Sequence, residues 1–280
     1  MSNEELYVGL KDKQVPWFDA HRSIQEEARD LLENYGGIPT DGVDDHVSAM
    51  RDKIWQVFPY PCVGELGFLD LNLAEREAYP QIIARLRASP EARHLDIGCC
   101  VGQDIRKLVH DGVPSDQIVG VELERGYTEL GYELFNDRAT LKTRFVNADM
   151  LDTENKELKA LNGTFDTIHI GLVLQLFNLE EQMQFLTNTI AKLKPSGGLI
   201  VGHTLAHQEG IEVPGAFNKP NMRHNWETWI GMWDEIESRV GREIKMKGCI
   251  DGHVGFGERR GKETWRDRKW RRIVFEVIVK

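Results

Sequence analysis

One stretch constrains this chain more than any other. Residues 94–104 read His-Leu-Asp-Ile-Gly-Cys-Cys-Val-Gly-Gln-Asp. A short apolar run ends in Asp96-Ile97-Gly98, Gly102 follows four residues later, and a helix-like segment begins. A glycine turn between a strand and a helix lets a ligand lie against bare backbone amides. The spacing here is Gly-x-x-x-Gly, whereas dinucleotide folds carry Gly-x-Gly-x-x-Gly. Cys100 stands where that pattern needs its second glycine, and no glycine follows Gly102 at the required distance. A pyrophosphate would lack its closest approach, so a ligand without phosphate fits better and a nicotinamide-dependent oxidoreductase is disfavoured.

Composition narrows the remaining classes. The chain has 280 residues, 41% of them apolar, which suits one large domain or a domain with appendages. A net charge of −10 argues against nucleic acid as a partner. The basic cluster Arg259, Arg260, Lys262, Arg266, Arg268, Lys269, Arg271 and Arg272 is interrupted by Glu258, Glu263 and Asp267. It reads as a solvated hairpin face, with anion steering as the alternative. Cys62, Cys99, Cys100 and Cys249 show no metal-ligand spacing, so no metal is expected and a reduced, cytoplasmic protein is. The acidic N-terminus lacks a signal core, and no window approaches the roughly 18 apolar residues of a membrane span.

Residues 1–90 read as a helical cap or lid, and 91–280 as the ligand-binding domain. Ser23-Ile24-Gln25-Glu26 has the form of a capping box ahead of Ala28, Leu31, Leu32 and Tyr35, with Gly36-Gly37 as the stop. Val43, Val47, Met50, Ile54 and Val57 make a second helical stripe, ended by Pro59 and Pro61. Pro80 fits the first turn of a third helix carrying Ile82, Ile83 and Leu86. From Arg93 strands near 93–97, 118–122, 143–147, 165–170 and 197–203 alternate with helices near 102–111, 125–136, 155–161 and 179–193. This pattern predicts an α/β, doubly wound, mostly parallel sheet. Ligands in such sheets bind beyond the carboxyl ends of the strands, where Asp96, Glu122, Asp149 and Gly171 fall. Residues 204–224 lack periodicity and predict an irregular insertion on the substrate wall. Asn225 caps a helix carrying Trp226, Trp229, Ile230, Trp233 and Ile236, and the residues from Gly248 to Lys280 read as two strands joined by the basic connection.

Four segments in register resemble the class I S-adenosylmethionine-dependent methyltransferases, over about residues 93–202. The glycine stretch resembles their first motif, and Val119-Gly120-Val121-Glu122 a second strand ending in the ribose-binding acid. Asn147-Ala148-Asp149-Met150 resembles the adenine loop. Phe165 to Gly171 resembles the fourth strand, and Leu193 to Val201 the turn into the fifth. The resemblance implies a seven-stranded sheet with an antiparallel last strand and S-adenosyl-L-methionine as cofactor. It places Asp96, Gly98, Gly102, Gln103, Glu122, Leu123, Ala148, Asp149, Met150 and Gly171 around that cofactor. Asp96 would bond the loop amides or the ligand's ammonium, Gly98 and Gly102 floor the methionine portion, and Glu122 accept both ribose hydroxyls. Asp149 would accept from the adenine amine, with Met150 against the ring.

A narrower likeness, to small methyltransferases of fungal secondary-metabolite clusters, runs over roughly residues 15–240. It is carried by Ala28 to Pro39, Arg51 to Trp55, Pro59 to Cys62, Asp96 to Leu108, and Arg223-His224-Asn225-Trp226-Glu227-Thr228-Trp229. It implies O-methylation of a hydrophobic small molecule, foremost a carboxylic acid turned into its methyl ester, with Arg223 or a histidine as carboxylate anchor. A homodimer is left open. His203, His207, His224 and His253 lie on segments that can face the cleft, and a phenol or enol substrate would need one of them as base. His169 is placed in the core. Trp226, Trp229 and Trp233 suit a ring-binding pocket or core packing equally. Trp17, Phe18 and Tyr60 suit a lid over the cofactor or simple docking of the appendage. A non-catalytic cofactor-binding module is the remaining rival.

Overall fold

The computed structural model describes residues 11–18, 23–215, 219–251 and 268–280. Arg259, Arg260, Lys262, Arg266 and His253 lie outside them, so the basic connection and that histidine are not placed.

The N-terminal part is helical, as its periodicity predicts. α1 (Glu26–Asp30) runs into a π-helical turn over Leu31–Tyr35, and Gly36 and left-handed Gly37 end it. The capping box predicted at Ser23 does not form. Gln25 is the N-cap and makes no side-chain cap bond, so Glu26 sits one residue into the helix, where its charge faces the positive end of the helix dipole. α2 (Val43–Val57) buries Val43, Val47, Met50 and Ile54 on one stripe. α3 (Pro61–Gly64) is a single turn, and the buried, turn-rich connection 65–78 leads to α4 (Tyr79–Ala88), with Pro80 in its first turn.

Then comes the alternation. It runs β1 (His94–Ile97), α5 (Gln103–His110), β2 (Ile118–Glu122), α6 (Arg125–Leu134), β3 (Arg144–Asn147), α7 (Lys156–Lys159), β4 (Thr167–Gly171), α8 (Leu179–Ile190) and β5 (Gly198–His207). β1, β2 and β4 are nearly continuous buried runs, the signature of parallel strands covered on both faces. The chain continues through β6 (Ile211–Pro214), β7 (Pro220–Arg223), α9 (Trp226–Val240), β8 (Ile244–Asp251) and β9 (Trp270–Val279). Among the described residues the sheet order is β3-β2-β1-β4-β5-β9-β8, with the final strand β9 antiparallel between β5 and β8.

The segment 204–224 is more ordered than its sequence predicts. β5 continues to His207, and β6 and β7 pair as a separate antiparallel ribbon. Pro214 and Pro220 at the ribbon's end mask its alternation, although proline is tolerated at such edges. α8 and α9 each open on a reciprocal capping box, Asn178 with Glu181 and Asn225 with Thr228.

The main core lies under α8 and α9 and contains Leu95, Ile97, Ile168, Ile170, Trp229, Trp233 and Phe275. The N-terminal helices form a second core that takes in Val101, Tyr127, Leu134 and Phe135 of the following domain. They dock on α6. A Cβ at Gly126 would sit 2.8 Å from Cγ2 of Val57, the Tyr127 hydroxyl donates to the Phe58 carbonyl at 2.5 Å, and His46 Nε2 meets the Leu134 carbonyl at 2.9 Å.

Candidate active site

The first turn after β1 is built from left-handed backbone. Gly98, Cys100 and Gly102 have φ of 71°, 50° and 72°. At Gly98 a Cβ would also run into Cγ2 of Val173, so glycine is required twice over. Gly98→Ala is therefore expected to cost about 2 kcal/mol in urea unfolding, from left-handed backbone and from the clash. Adding Val173→Ala should recover only the clash. Cys100 has no such freedom, and its conformation is held from outside: its N–H donates to Glu122 Oε2 at 2.8 Å. Burial pushes the Cys99 and Cys100 thiols well up, so neither is a ready thiolate.

Glu122 ends β2, and its other oxygen accepts the Glu124 N–H at 3.0 Å. Burial raises its pKa, while backbone N–H bonds from Glu124, Cys100 and Leu123 work to keep it charged. A carboxylate offers about four acceptor positions, so these three N–H bonds leave room for a further hydroxyl donor. Leu123 beside it is 57% exposed, an apolar side chain on open surface next to a buried acid. Tyr60, half-buried, packs on Phe58 at 4.3 Å; burial and then the Glu122 charge raise its hydroxyl. The N-terminal part thus reaches the acid at the end of β2.

The loop is pinned from below by Arg106. Its side chain is fully buried, donates to both Asp137 oxygens at 2.8 and 3.0 Å, and reaches the carbonyls of Val101 at 2.6 Å and Gly102 at 3.2 Å. Tyr35 donates its hydroxyl to the same Asp137 at 2.8 Å.

A polar seam runs through the interior on the α5 side of the sheet. Asp96 and His169 face each other across β1 and β4, Oδ1 to Nδ1 at 2.9 Å, both buried. Asp104, in the first turn of α5, accepts the Leu73 N–H at 2.9 Å, and burial pushes it up to about 7. His169 and His203 flank Gly171, where a Cβ would lie 3.1 and 3.3 Å from their Cε1 atoms. Burial lowers His203 far below the usual histidine range, and the charges of Arg76 and Arg272 add to this. His203 is therefore neutral at pH 7.

Other residues predicted from the sequence have structural duties. Both ring nitrogens of His224 are engaged, with Thr228 Oγ1 at 3.0 Å and Gln182 Oε1 at 3.1 Å, and burial lowers its pKa to about 4. It is thus spoken for as a base. The Arg223 guanidinium donates to the Gln175 carbonyl and lies 5.6 Å from the Trp270 ring centre, tying β7 to the turn after β4. His207 is buried and its Nδ1 accepts the Glu209 N–H at 3.1 Å. Trp229 is a core residue packed on Phe275 at 5.1 Å, Trp226 is part-buried against the same core, and Trp17 is buried in the N-terminal core. Met150 is buried in the main core, so it serves packing there, beside buried Ala148. Asp149 is exposed and accepts the Leu151 N–H at 2.9 Å. Nothing in the sequence marks a role for Asn72, Arg76, Asp104 or Arg106. The connection 65–78 has no periodicity to mark it, and only its burial in the folded chain reveals it.

A left-handed turn with two glycines, an acid with acceptor capacity to spare and an exposed leucine suit a phosphate-free nucleoside. Residues 95–197 match the family described as "Methyltransferase domain", and residues 17–69 the one described as "Meroterpenoid methyltransferase N-terminal domain". O-methyltransferase atr3 of Stereocaulon alpinum is 38% identical over 95% of this chain and 76% of its own length. This chain belongs to the S-adenosylmethionine-dependent methyltransferases of fungal secondary metabolism. O-methyltransferase phiE of Fungal sp. (strain ATCC 74256) is 33% identical over 94% of the chain and 92% of its own length. The Asnovolin E/Chermesin D methyltransferase nvfJ of Aspergillus novofumigatus is 31% identical over 80% and 81%. The solved structure of MccD protein shares the fold, with a TM-score of 0.52 at 14% identity over 75% of this chain and 98% of that one. The methyltransferase is an O-methyltransferase, and its cofactor is S-adenosylmethionine.

Proposed function

We propose that this methyltransferase esterifies the carboxylate of a hydrophobic small molecule. The observation that carries the reading is a buried cation close to His203, His169 and Asp104, on the side of the sheet where the glycine turn lies. Arg76 is 6% exposed, and its positive charge acts on His203, His169 and Asp104 together. It donates from Nε to the Asn72 carbonyl and from Nη2 to Glu75, both at 2.9 Å, which fixes its plane. Arg272, paired with Asp251 at 3.0 Å, sits on the neighbouring strand. A substrate carboxylate is already ionised at pH 7 and needs a cation to hold it, not a base. S-adenosylmethionine supplies a methyl group on positive sulfur; as the oxygen–methyl bond forms, the sulfur–methyl bond breaks and no proton moves. The chain's part is to align the carboxylate and exclude water. Glu122, Leu123 and Tyr60 would hold the nucleoside end, Gly98, Gly102 and Gln103 the methionine end, and Ala148 with Asp149 the adenine edge. The free cysteines fit a reducing, cytoplasmic setting. Among the described residues no helix is long and apolar enough to cross a membrane.

The test is a panel of hydrophobic carboxylic acids beside matched phenols, with products read by mass and by alkaline cleavage. Methyl esters are expected, and products that are all alkali-stable ethers would reject the carboxylate. Arg76→Gln is expected to raise KM for the acid roughly tenfold to a hundredfold, as loss of charge-assisted hydrogen bonds implies. One observation favours a second reading. The neutral, buried ring of His203 is in the state a general base needs for a phenol, and His203→Asn would then abolish turnover on phenols with little change in their binding.

A further inference from the structure

A single hydroxyl links the N-terminal helices to the groups that hold the glycine turn. Tyr35 donates to Asp137 Oδ2 at 2.8 Å, across 102 residues of chain. Tyr35 belongs to the N-terminal family unit, residues 17–69, while Asp137 and the turn belong to the methyltransferase unit, residues 95–197. Tyr35 ends the π-helical turn over Leu31–Tyr35, closed by the Gly36 N–H on the Leu31 carbonyl at 3.1 Å. A π turn holds one residue more than an α-helical turn, so it re-aims the side chain at its end, and such turns recur at functional sites. Here the ring sits edge-on to Phe135 at 6.3 Å and to His110 at 6.4 Å. Burial and the Asp137 charge both raise the hydroxyl's pKa, so it stays a donor.

The bond falls on a torsion that needs a partner. The last torsion of an aspartate is broad, and the plane of the Asp137 carboxylate sets the plane of the guanidinium that grips it. Arg106 uses Nε and Nη2 on the two Asp137 oxygens, at 2.8 and 3.0 Å. That leaves Nη1, which donates to the carbonyls of Val101 at 2.6 Å and Gly102 at 3.2 Å. A two-point fork is planar and rigid, so a rotated carboxylate swings Nη1 off those carbonyls. The side chains of Arg106 and Asp137 are 0% and 4% exposed, so bulk water does not take the place of the tyrosine.

We propose that Tyr35 is a positioning residue for cofactor binding. Through Asp137 and Arg106 its hydroxyl sets the carbonyls of the glycine turn, so the N-terminal helices govern how tightly that turn holds S-adenosylmethionine. The proposal rests on the cofactor lying along the turn and is independent of which substrate oxygen is methylated. Coupling is reciprocal, so the bound cofactor must in turn steady the π-helical residues.

Tyr35→Phe keeps the ring and removes the hydroxyl. The probe is S-adenosylhomocysteine, titrated by calorimetry, which needs no methyl acceptor. Its dissociation constant is expected to rise about threefold to tenfold, with the binding stoichiometry unchanged. A merely structural role would instead lower the stoichiometry, as part of the sample unfolds, without changing the affinity of the folded part. His46→Ala is the control: it removes the 2.9 Å contact of His46 Nε2 with the Leu134 carbonyl, which loosens the same interface away from the relay. It is expected to leave the dissociation constant within threefold of the parent. A smaller rise than threefold for Tyr35→Phe, or an equal rise for both variants, overturns the proposal. Should Tyr35→Phe fail to fold, amide exchange on the unmodified protein decides. Saturating S-adenosylhomocysteine is expected to slow exchange over residues 31–36 more than over residues 47–54 of α2, and equal slowing in both, or none, overturns the proposal.

Discussion

Glu122→Ala is expected to weaken binding of S-adenosylmethionine by about a hundredfold or more. Two effects add. The ribose hydroxyls lose a charged acceptor, and hydrogen bonds to charged groups contribute about 1.5–3 kcal/mol each, with every 1.4 kcal/mol a factor of ten. The Cys100 N–H also loses the oxygen that holds it at 2.8 Å, so a non-glycine residue at φ 50° is released from its constraint. The floor under the ligand then relaxes as well. Glu122→Gln keeps an acceptor and the shape of the side chain, so its loss should be nearer tenfold. Calorimetric titration with the cofactor measures both. An alanine variant within threefold of the parent would remove Glu122 from the ribose site.

Arg106→Leu is expected to be the most destabilising single change, at about 3–5 kcal/mol in urea unfolding, the cost of breaking a buried ion pair by removing one partner. Asp137, 3% exposed, would be left, among the described residues, with the Tyr35 hydroxyl as its side-chain donor. The carbonyls of Val101 and Gly102 would lose their donors at the same time. Because these carbonyls belong to the glycine turn, cofactor affinity should fall along with stability. The double variant Arg106→Leu with Asp137→Leu removes both charges and should recover part of the loss, since well-packed apolar replacements of a buried pair are often tolerated. If the single variant loses under 1 kcal/mol, Arg106 does not pin the loop.

The two variants differ in how visible their residues were beforehand. Glu122 ends an apolar run and stands a fixed distance past the glycine turn, so its place was legible. Arg106 lies in a helix whose sequence marks only amphipathicity, and its partner Asp137 is 31 residues away. The same contrast holds on the substrate side. Arg223, His224 and Trp229 had the composition of a binding site, yet folding uses their polar atoms and rings on Gln175, Thr228, Gln182 and Phe275. Arg76 and Asn72 carried no signal at all, because the buried connection that holds them follows neither a period of 3.6 nor one of 2.

What the chain's order of residues determined alone is the alternation of strands and helices, the helical N-terminal part, the left-handed turn at Gly98 and Gly102, and the acid at the end of β2. All of these are local, set by periodicity, backbone freedom and distance along the chain. Tertiary structure alone decided which polar groups are buried together. Asp96 meets His169 across 73 residues, and Asp104 meets Leu73 across 31. Desolvation and charge pairing arise only once such groups are brought into contact, and the closing of the sheet is what brings them there.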